Sequence, residues 1–267
     1  MDILIPEGAQ ASCWPDLRGA SAEEAVQSVG VWYHTIELSE DLTTDGVYDM
    51  RPYLGEYAMP SLEGRSLLDV GSSNGFFSLQ WESLGAHVTA VDLPSYKDHD
   101  FPAWYLERRL AEMSPEELSR IDWNQLHGGF AVASALRNSK VQKKLMSIYE
   151  LESLGRSRFD VVFCSNVLVH TRDPLLALSG MFQTAKSGSQ LVLATPIVDQ
   201  EVNGALPANF MGLYDQPAFW VPTLETLRAW CRFAGWERVE TIGSFFCKRV
   251  GGDRQGDQVG VVHAWKA

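Results

Sequence analysis

The chain has 267 residues, of which 45% are hydrophobic, and its formal net charge at pH 7 is -12. This length and apolar content predict one large α/β domain with additions rather than two independent domains. The acidic balance argues against a nucleic-acid-binding protein, because such proteins need a basic face to neutralise phosphates.

No apolar segment approaches the roughly 20 residues that cross a bilayer, and the first residues lack the basic region of a secretory signal, so we expect a cytoplasmic protein without a membrane partner. Four cysteines occur without Cys-x-x-Cys spacing. We therefore expect reduced core thiols rather than disulfides, and no metal site.

The sequence predicts that residues 1–60 form an N-terminal extension covering the catalytic face, and that residues 61–267 form the main domain. The aromatic content of the extension is too high for a disordered tail. Trp32 and Tyr33 are predicted to line the substrate site. His34 is a candidate catalytic base, although this segment could instead only anchor the extension to the core. Arg51 could pair with a cofactor carboxylate, with an acidic substrate or with a carboxylate of the fold.

The segment Ser66–Val70 reads as a short buried parallel strand, and the turn after it contains Gly71 and Gly75. Glycines let the backbone turn sharply and approach a ligand closely. We expect Asn74 to cap the helix that follows. A second apolar run, 88–91, ends at Asp92, where open α/β sheets bind ligands. The carboxylate of Asp92 can accept both hydroxyls of a ribose.

The segment from Leu68 to Gly75, Leu-Asp-Val-Gly-Ser-Ser-Asn-Gly, resembles motif I of the class I S-adenosylmethionine-dependent methyltransferases. The resemblance implies S-adenosylmethionine as cofactor and a Rossmann-like sheet with a C-terminal antiparallel hairpin. A dinucleotide fingerprint would need a glycine at Ser73, and no Gly-Lys-Ser/Thr of a P-loop follows the turn. The residues that we expect at the cofactor are Asp69, Gly71, Ser72, Ser73, Gly75, Asp92, Leu93, Ile148, Tyr149, Ser165, Asn166 and Arg51.

Between the second and third strands lies a long excursion, about residues 94–143, which predicts an inserted lid because a crossover needs only a dozen residues. Ser114, Pro115 and Glu117 predict the start of a helix within it, and 129–136 predicts another. The basic pair Lys143 and Lys144 is interpreted as a solvated face.

The remaining elements follow a βαβ order: strands at 144–148, 159–164 and 190–194, a helix at 174–185, a helix at 223–234, and two final strands near 236–246 and 259–265. Tyr149 follows the third strand and suits an adenine ring, unless it points into the core. Ser165 and Asn166 follow the fourth strand, where they can receive an ammonium group. His170 in the same loop is the first candidate base, or else a packing residue.

After the fifth strand, Asp199, Tyr214 and Trp220 are predicted to face the acceptor, in a segment of aromatic character. This segment could instead form a homodimer contact.

A closer resemblance extends over most of the chain, to the bacterial branch that includes the wobble-uridine tRNA carboxymethyltransferases. The segments that carry it include 32–36, 51–54, 147–151, 159–163, 170–174 and 219–222. Members that use carboxy-S-adenosylmethionine have a tyrosine where this chain has Val169. We therefore expect ordinary S-adenosylmethionine and a small, apolar or aromatic acceptor of secondary metabolism. The alternatives are a tRNA wobble-uridine enzyme and a non-catalytic cofactor-binding regulator.

Overall fold

The computed structural model describes residues 14–200, 204–213, 218–251 and 256–267. Its strands are β1 Trp32–His34, β2 Gly46–Tyr48, β3 Ser66–Val70, β4 His87–Asp92, β5 Gln142–Leu145, β6 Phe159–Ser165, β7 Ala185–Pro196, β8 Ala208–Leu213, β9 Ala218–Pro222, β10 Arg238–Lys248 and β11 Gly256–Trp265. Its α-helices are α1 Ala22–Gln27, α2 Phe76–Ser83, α3 Ala103–Ala111, α4 Pro115–Asp122, α5 Gly128–Leu136, α6 Pro174–Thr184 and α7 Leu224–Phe233.

Seven strands form the central sheet in the order β10-β11-β7-β6-β3-β4-β5. Strands β3 to β7 of this sheet pair in parallel, whereas β11 runs antiparallel to β7 and to β10. The predicted Rossmann-like α/β architecture is therefore confirmed. Because all parallel strands end at one edge, the loops after β3, β4, β5 and β6 meet there.

Two apolar cores lie on the two faces of this sheet. The first includes Tyr57, Phe77 and Trp81, so the N-terminal segment and α2 share it. The second contains residues of α6 and α7, such as Leu178 and Leu227. Both faces of the parallel sheet are thus covered, which explains why its strands read as continuous apolar runs rather than as alternating ones.

The N-terminal segment is fixed to the sheet by polar and aromatic contacts. His263 of β11 is hydrogen-bonded through Nε2 to the Tyr57 carbonyl over 2.9 Å, and Tyr53 stacks on Phe245 of β10 at 5.1 Å between ring centroids. The Tyr57 hydroxyl lies within hydrogen-bond distance, 3.0 Å, of Ser165 Oγ at the end of β6. The segment therefore covers one face of the sheet up to the ligand-binding edge. Its role as a separate cap remains a prediction.

Between β4 and β5 the chain forms α3, α4, a π-helical turn at Trp123–His127, and α5. The predicted capping box at Ser114 is present, with Pro115 in the first turn of α4. Helix α5 packs into the first core through Val132 and Ala133. A function of this insertion as a lid remains a prediction.

Two local predictions are wrong. Strand β5 is Gln142–Leu145 rather than 144–148, because Ser147 and Glu150 form a capping box that starts a 3₁₀ helix, Ile148–Leu154. Helix α2 has Gly75 at its N-cap without a side-chain hydrogen bond. The Asn74 side chain instead accepts a 2.5 Å hydrogen bond from the Tyr33 backbone N–H.

Three cysteines, Cys164, Cys231 and Cys247, are free and buried, and Cys13 lies outside the described residues. None of the helices in the described ranges is both long and apolar enough to span a membrane.

Candidate active site

The turn between β3 and α2 has a backbone that only glycine adopts without strain at its first position. Gly71 has φ 80°, and a Cβ atom there would lie 2.2 Å from Val167 Cγ2 in the loop after β6. The amides of Gly71 and Ser72 donate to the Val91 carbonyl at 2.8 and 3.1 Å. The turn is thus held tightly between the ends of β4 and β6, as the sequence predicts for Gly71.

Asp92 ends β4 beside this turn. One carboxylate oxygen accepts a 2.7 Å hydrogen bond from the Ser73 amide, and the other accepts one of 2.9 Å from the Leu93 amide. A carboxylate oxygen has two lone pairs, so each oxygen can still accept a hydroxyl. The structure therefore brings Asp92, Ser73 and Leu93 together as predicted, with the carboxylate oriented by backbone donors.

Lys143 lies on β5 with its side chain only 3% exposed, so its interpretation as a solvated residue is wrong. Its Nζ donates to the Leu126 carbonyl at 2.7 Å and lies 3.9 Å from Asp92 Oδ2. Burial lowers the pKa of Lys143, and the charges of Asp92 and Asp69 act in the opposite direction. The neighbouring Lys144 is exposed, because successive residues of a strand face opposite sides.

The sequence predicts Asp69 at the cofactor, but the structure buries it within β3 rather than at the ligand-binding edge. Its carboxylate accepts a 2.5 Å hydrogen bond from Ser78 Oγ of α2. Burial raises the pKa of Asp69 to about 7, while the bond from Ser78 and the charge of Lys143 lower it. In this position Asp69 joins β3 to α2 and holds the turn from beneath.

Two buried polar atoms at this edge have no hydrogen-bond partner among the described residues, Ser72 Oγ and Asn166 Oδ1. Asn166 has φ 57°, and its amide donates to the Ala194 carbonyl at 2.9 Å. Ser72 follows β3 and Asn166 follows β6, and these strands are neighbours in the sheet. Buried polar atoms are nearly always paired, so each of these two atoms is a candidate to bind a polar group of a ligand.

Tyr149 and Ile148 begin the 3₁₀ helix after β5. Ile148 is buried, and Tyr149 packs against the second core. The Tyr149 hydroxyl donates to Asp100 and accepts a 3.1 Å hydrogen bond from the Asp173 amide. Burial and the contact with Asp100 raise the pKa of Tyr149. The tyrosine therefore joins the loops after β4, β5 and β6, and its contact with adenine remains a prediction.

The two candidate bases have opposite environments. His34 is 6% exposed and lies against Phe76 and Phe77, with ring centroids 5.5 and 5.6 Å apart. Burial lowers the pKa of His34 to about 3, so it accepts a proton poorly and its catalytic assignment is not supported. His170 is exposed in the loop after β6, which leaves it as the candidate base.

Three N-terminal residues have structural partners. Arg51 pairs with Asp49 at 2.7 Å and with Glu37, which is the fold-carboxylate alternative rather than a cofactor contact. Trp32 is buried in the first core and donates from Nε1 to the Val26 carbonyl, so it does not line a substrate site. Tyr33 is 40% exposed, and its ring contacts the rings of His34 and Tyr48 at 4.8 and 5.2 Å between centroids.

A cavity of about 330 Å³ is lined by Pro102 of the segment after β4, Arg172 of the loop after β6, and Phe210, Phe219 and Trp220. Trp220 donates from Nε1 to the Arg172 carbonyl at 3.1 Å and contacts the Phe210 ring at 5.0 Å. Small-molecule sites have volumes of this order and aromatic walls. Trp220 therefore lines this cavity, and its contact with an acceptor remains a prediction. Asp199 is exposed and does not line the cavity, and Tyr214 lies outside the described residues.

Sequence reasoning missed three residues of this region, Pro102, Arg172 and Lys143. Pro102 and Arg172 stand in loops, and no local pattern shows that these loops meet. The signal for Lys143 was the alternation of a strand, which places one of two adjacent lysines inside.

Comparison with known proteins identifies the chain's family. A family model of the methyltransferase domain matches residues 45–241. The chain belongs to this family. The prediction of a class I S-adenosylmethionine-dependent methyltransferase is thereby confirmed, and with it the enzyme class and the cofactor.

Among curated proteins, this methyltransferase is 30% identical over 106 residues to the tRNA U34 carboxymethyltransferase of Helicobacter acinonychis (strain Sheeba). The match covers 40% of this chain and 40% of that relative. A tRNA U34 carboxymethyltransferase of Sulfurovum sp. (strain NBC37-1) is 29% identical over 140 residues. This match covers 52% of this chain and 46% of the relative's length. The methyltransferase thus spans half or less of the length of the relatives it matches.

Among solved structures, the N-terminal domain of EvdMO1 with SAH bound aligns with a TM-score of 0.56 at 15% identity, covering 97% of this chain and 100% of that one. This likeness shows a shared fold.

Proposed function

We propose that this methyltransferase transfers the methyl group of S-adenosylmethionine to a small, apolar or aromatic molecule. The observation that carries the proposal is the aromatic cavity around Trp220 and Phe219, whose wall includes Pro102 from the segment after β4 and Arg172 from the loop after β6, the strands that Asp92 and Asn166 end or follow. A cofactor site and an acceptor site must adjoin for a direct transfer.

The residues at the edge fit the cofactor. The carboxylate of Asp92 accepts the ribose hydroxyls, and the unpartnered Oδ1 of Asn166 accepts a hydrogen bond from the ammonium group. The close packing of Gly71 against Val167 keeps side chains out of the turn that faces the ligand.

S-adenosylmethionine supplies an electrophilic methyl group on a sulfonium sulfur. The chain's own residues have to align the acceptor with it and keep water away. Trp220, Phe210 and Phe219 offer aromatic surfaces against which a flat acceptor can lie. If the acceptor atom is a hydroxyl oxygen, His170 takes its proton, because an imidazole titrates near neutral pH.

Charge favours a small molecule over tRNA. The net charge of -12 leaves little basic surface for phosphates, and Arg172 in the cavity wall is paired with Asp100 at 3.4 Å. Val169 is buried at the position where relatives that use the carboxylated cofactor have tyrosine. A neutral apolar acceptor fits such walls.

The first experiment is calorimetry of the wild type with S-adenosylmethionine and with carboxy-S-adenosylmethionine. We expect tighter binding of S-adenosylmethionine. We expect Asp92→Asn to lose about tenfold or more in affinity, since hydrogen bonds to charged groups contribute about 1.5–3 kcal/mol. Asp41→Asn, at an exposed acid, serves as the control and should bind like the wild type. Preference for the carboxylated cofactor would contradict the proposal.

The second candidate is a tRNA wobble-uridine enzyme, which the 30% identity to tRNA U34 carboxymethyltransferases supports. It predicts binding of tRNA that weakens steeply as the salt concentration rises. A gel-shift titration of tRNA between low and physiological salt separates the two candidates. Cofactor binding without transfer to any acceptor class would instead support a non-catalytic regulator.

A further inference from the structure

Lys143 is the only lysine of β5 that faces inward, and it lies where three parts of the cofactor edge meet. Its Nζ donates to Leu126 in the π-helical turn and approaches the Ser73 carbonyl to 3.5 Å. It also lies 3.9 Å from Asp92 Oδ2, and 4.7 Å from the centre of the Phe130 ring of α5. One ammonium group thus joins the insertion, the glycine turn and the end of β4.

Burying this ammonium group requires compensation. A lysine side chain that is 3% exposed loses hydration, and folding retains such a charge only when hydrogen-bond acceptors and opposite charges surround it. Here the Leu126 carbonyl, the Asp92 carboxylate and the Phe130 ring supply that environment. An apolar residue at this position would avoid the cost of desolvation, so stability alone does not account for a lysine here.

The charge balance at Asp92 gives the lysine a role. Asp69 on β3 and Asp92 on β4 are two carboxylates near the same turn, and burial together with the charge of Asp92 raises the pKa of Asp69. Lys143 Nζ lies 3.9 Å from Asp92 Oδ2, and the charges of both carboxylates act on the lysine. The same oxygen, Asp92 Oδ2, accepts the hydrogen bond from the Ser73 amide, so the cation and the amide together fix that oxygen.

We propose that Lys143 is a positioning residue, which acts through Asp92 to fix the recognition of the cofactor's ribose hydroxyls. This inference rests on the proposed binding of S-adenosylmethionine at this edge. Lys143 itself does not touch the ribose in this account. Lys143 fixes the positions of Asp92 Oδ2 and the Ser73 carbonyl relative to each other. Both carboxylate oxygens of Asp92 then face the ligand.

The test compares two ligands in two lysine variants by calorimetry. The ligands are S-adenosylhomocysteine and its 2′-deoxy analogue, which lacks one ribose hydroxyl. The variants are Lys143→Met, which keeps the side-chain length without the charge, and Lys144→Met, the matched control at the exposed neighbour on the same strand.

In the wild type, and in Lys144→Met, we expect the deoxy analogue to bind about tenfold or more weakly, which is the value of a hydrogen bond to a charged group. In Lys143→Met we expect S-adenosylhomocysteine to weaken by a similar factor, while the difference between the two ligands falls to about threefold or less. The loss of discrimination is the readout, because a purely structural role would weaken both ligands equally.

Thermal unfolding of each variant without ligand shows whether the fold survives. We expect Lys143→Met to unfold at a lower temperature than the wild type but to remain folded without ligand, because the change removes the cation beside Asp92 and the donor to the Leu126 carbonyl. Equal weakening of both ligands in Lys143→Met, or unchanged affinity for both, would overturn the role of Lys143. Failure of the wild type to bind S-adenosylhomocysteine would instead refute the proposed function, so the two failures are distinguishable.

Discussion

The glycine turn allows a quantitative prediction, because the structure separates two costs of a side chain at Gly71. The first cost is conformational: φ is 80°, and an L residue in this region loses about 1–2 kcal/mol. The second is steric: a Cβ at Gly71 would lie 2.2 Å from Val167 Cγ2, whereas carbon atoms in contact stand about 3.5–4.0 Å apart. Such overpacking costs about 1–3 kcal/mol.

Gly188 supplies the matched control for Gly71. It has φ 76°, and nothing lies within 4 Å of the Cβ that alanine would add. We expect Gly188→Ala to lower the free energy of unfolding by about 1–2 kcal/mol, the conformational cost alone. Gly71→Ala should lower it by about 2–5 kcal/mol, a large part of the stability of an ordinary domain.

Urea denaturation followed by circular dichroism measures both losses. The double variant Gly71→Ala/Val167→Ala should recover part of the steric cost, because it removes the methyl group that the new Cβ meets. Equal losses in Gly71→Ala and Gly188→Ala, with no recovery in the double variant, would show that the turn does not press against the loop after β6.

Three further predictions concern titration, catalysis and the acceptor. Folding raises the pKa of Asp69 from 3.8 to about 7, so the unfolded chain releases this proton first, and stability should fall as pH rises from about 4 to 7. Asp69→Asn should flatten that slope in urea titrations at pH 5 and 7.5, and an unchanged slope would contradict the burial argument. For a hydroxyl acceptor, His170→Ala should lower kcat at neutral pH by about 10²-fold or more. His87→Ala, at the exposed start of β4, should not change kcat, and full turnover in His170→Ala would exclude His170 as the base. Trp220→Ala should raise the KM of an aromatic acceptor more than that of the cofactor, whereas Phe233→Ala, 77% exposed, should change neither. An unchanged acceptor KM in Trp220→Ala would place the acceptor elsewhere.

The parts of the fold that local patterns determine could be predicted from the sequence. The strand before Gly71, the turn itself and the acid at the end of β4 occur where the motif places them. Each depends on a few adjacent residues, such as an apolar run that ends in glycine or aspartate. The cap of α4 at Ser114 was likewise predictable, because its partners lie within three residues.

Long-range partners explain the errors. Asn74 has the residue type of a helix cap, yet it bonds to the Tyr33 amide, 41 residues earlier in the chain. Arg51 and His34 have side chains that often occur in functional sites. In this chain, however, Arg51 pairs with carboxylates of the fold, and His34 packs against aromatic rings. No local pattern gives the distance between such residues.

The same reasoning explains why the most informative lysine looked ordinary. Two adjacent lysines at an edge strand are typical of a solvated face, and Lys144 fits that interpretation. Strand β5 is the last strand of the sheet, so one of its sides has no neighbouring strand. One of its faces is nevertheless covered, because the inserted turn at Leu126 and the Phe130 ring lie against it. An insertion that covers an edge strand turns one of its alternating positions into an interior one, and a charge retained there must face an opposite charge. In this chain that charge is the carboxylate of Asp92, which is why the insertion and the cofactor edge have to be considered together.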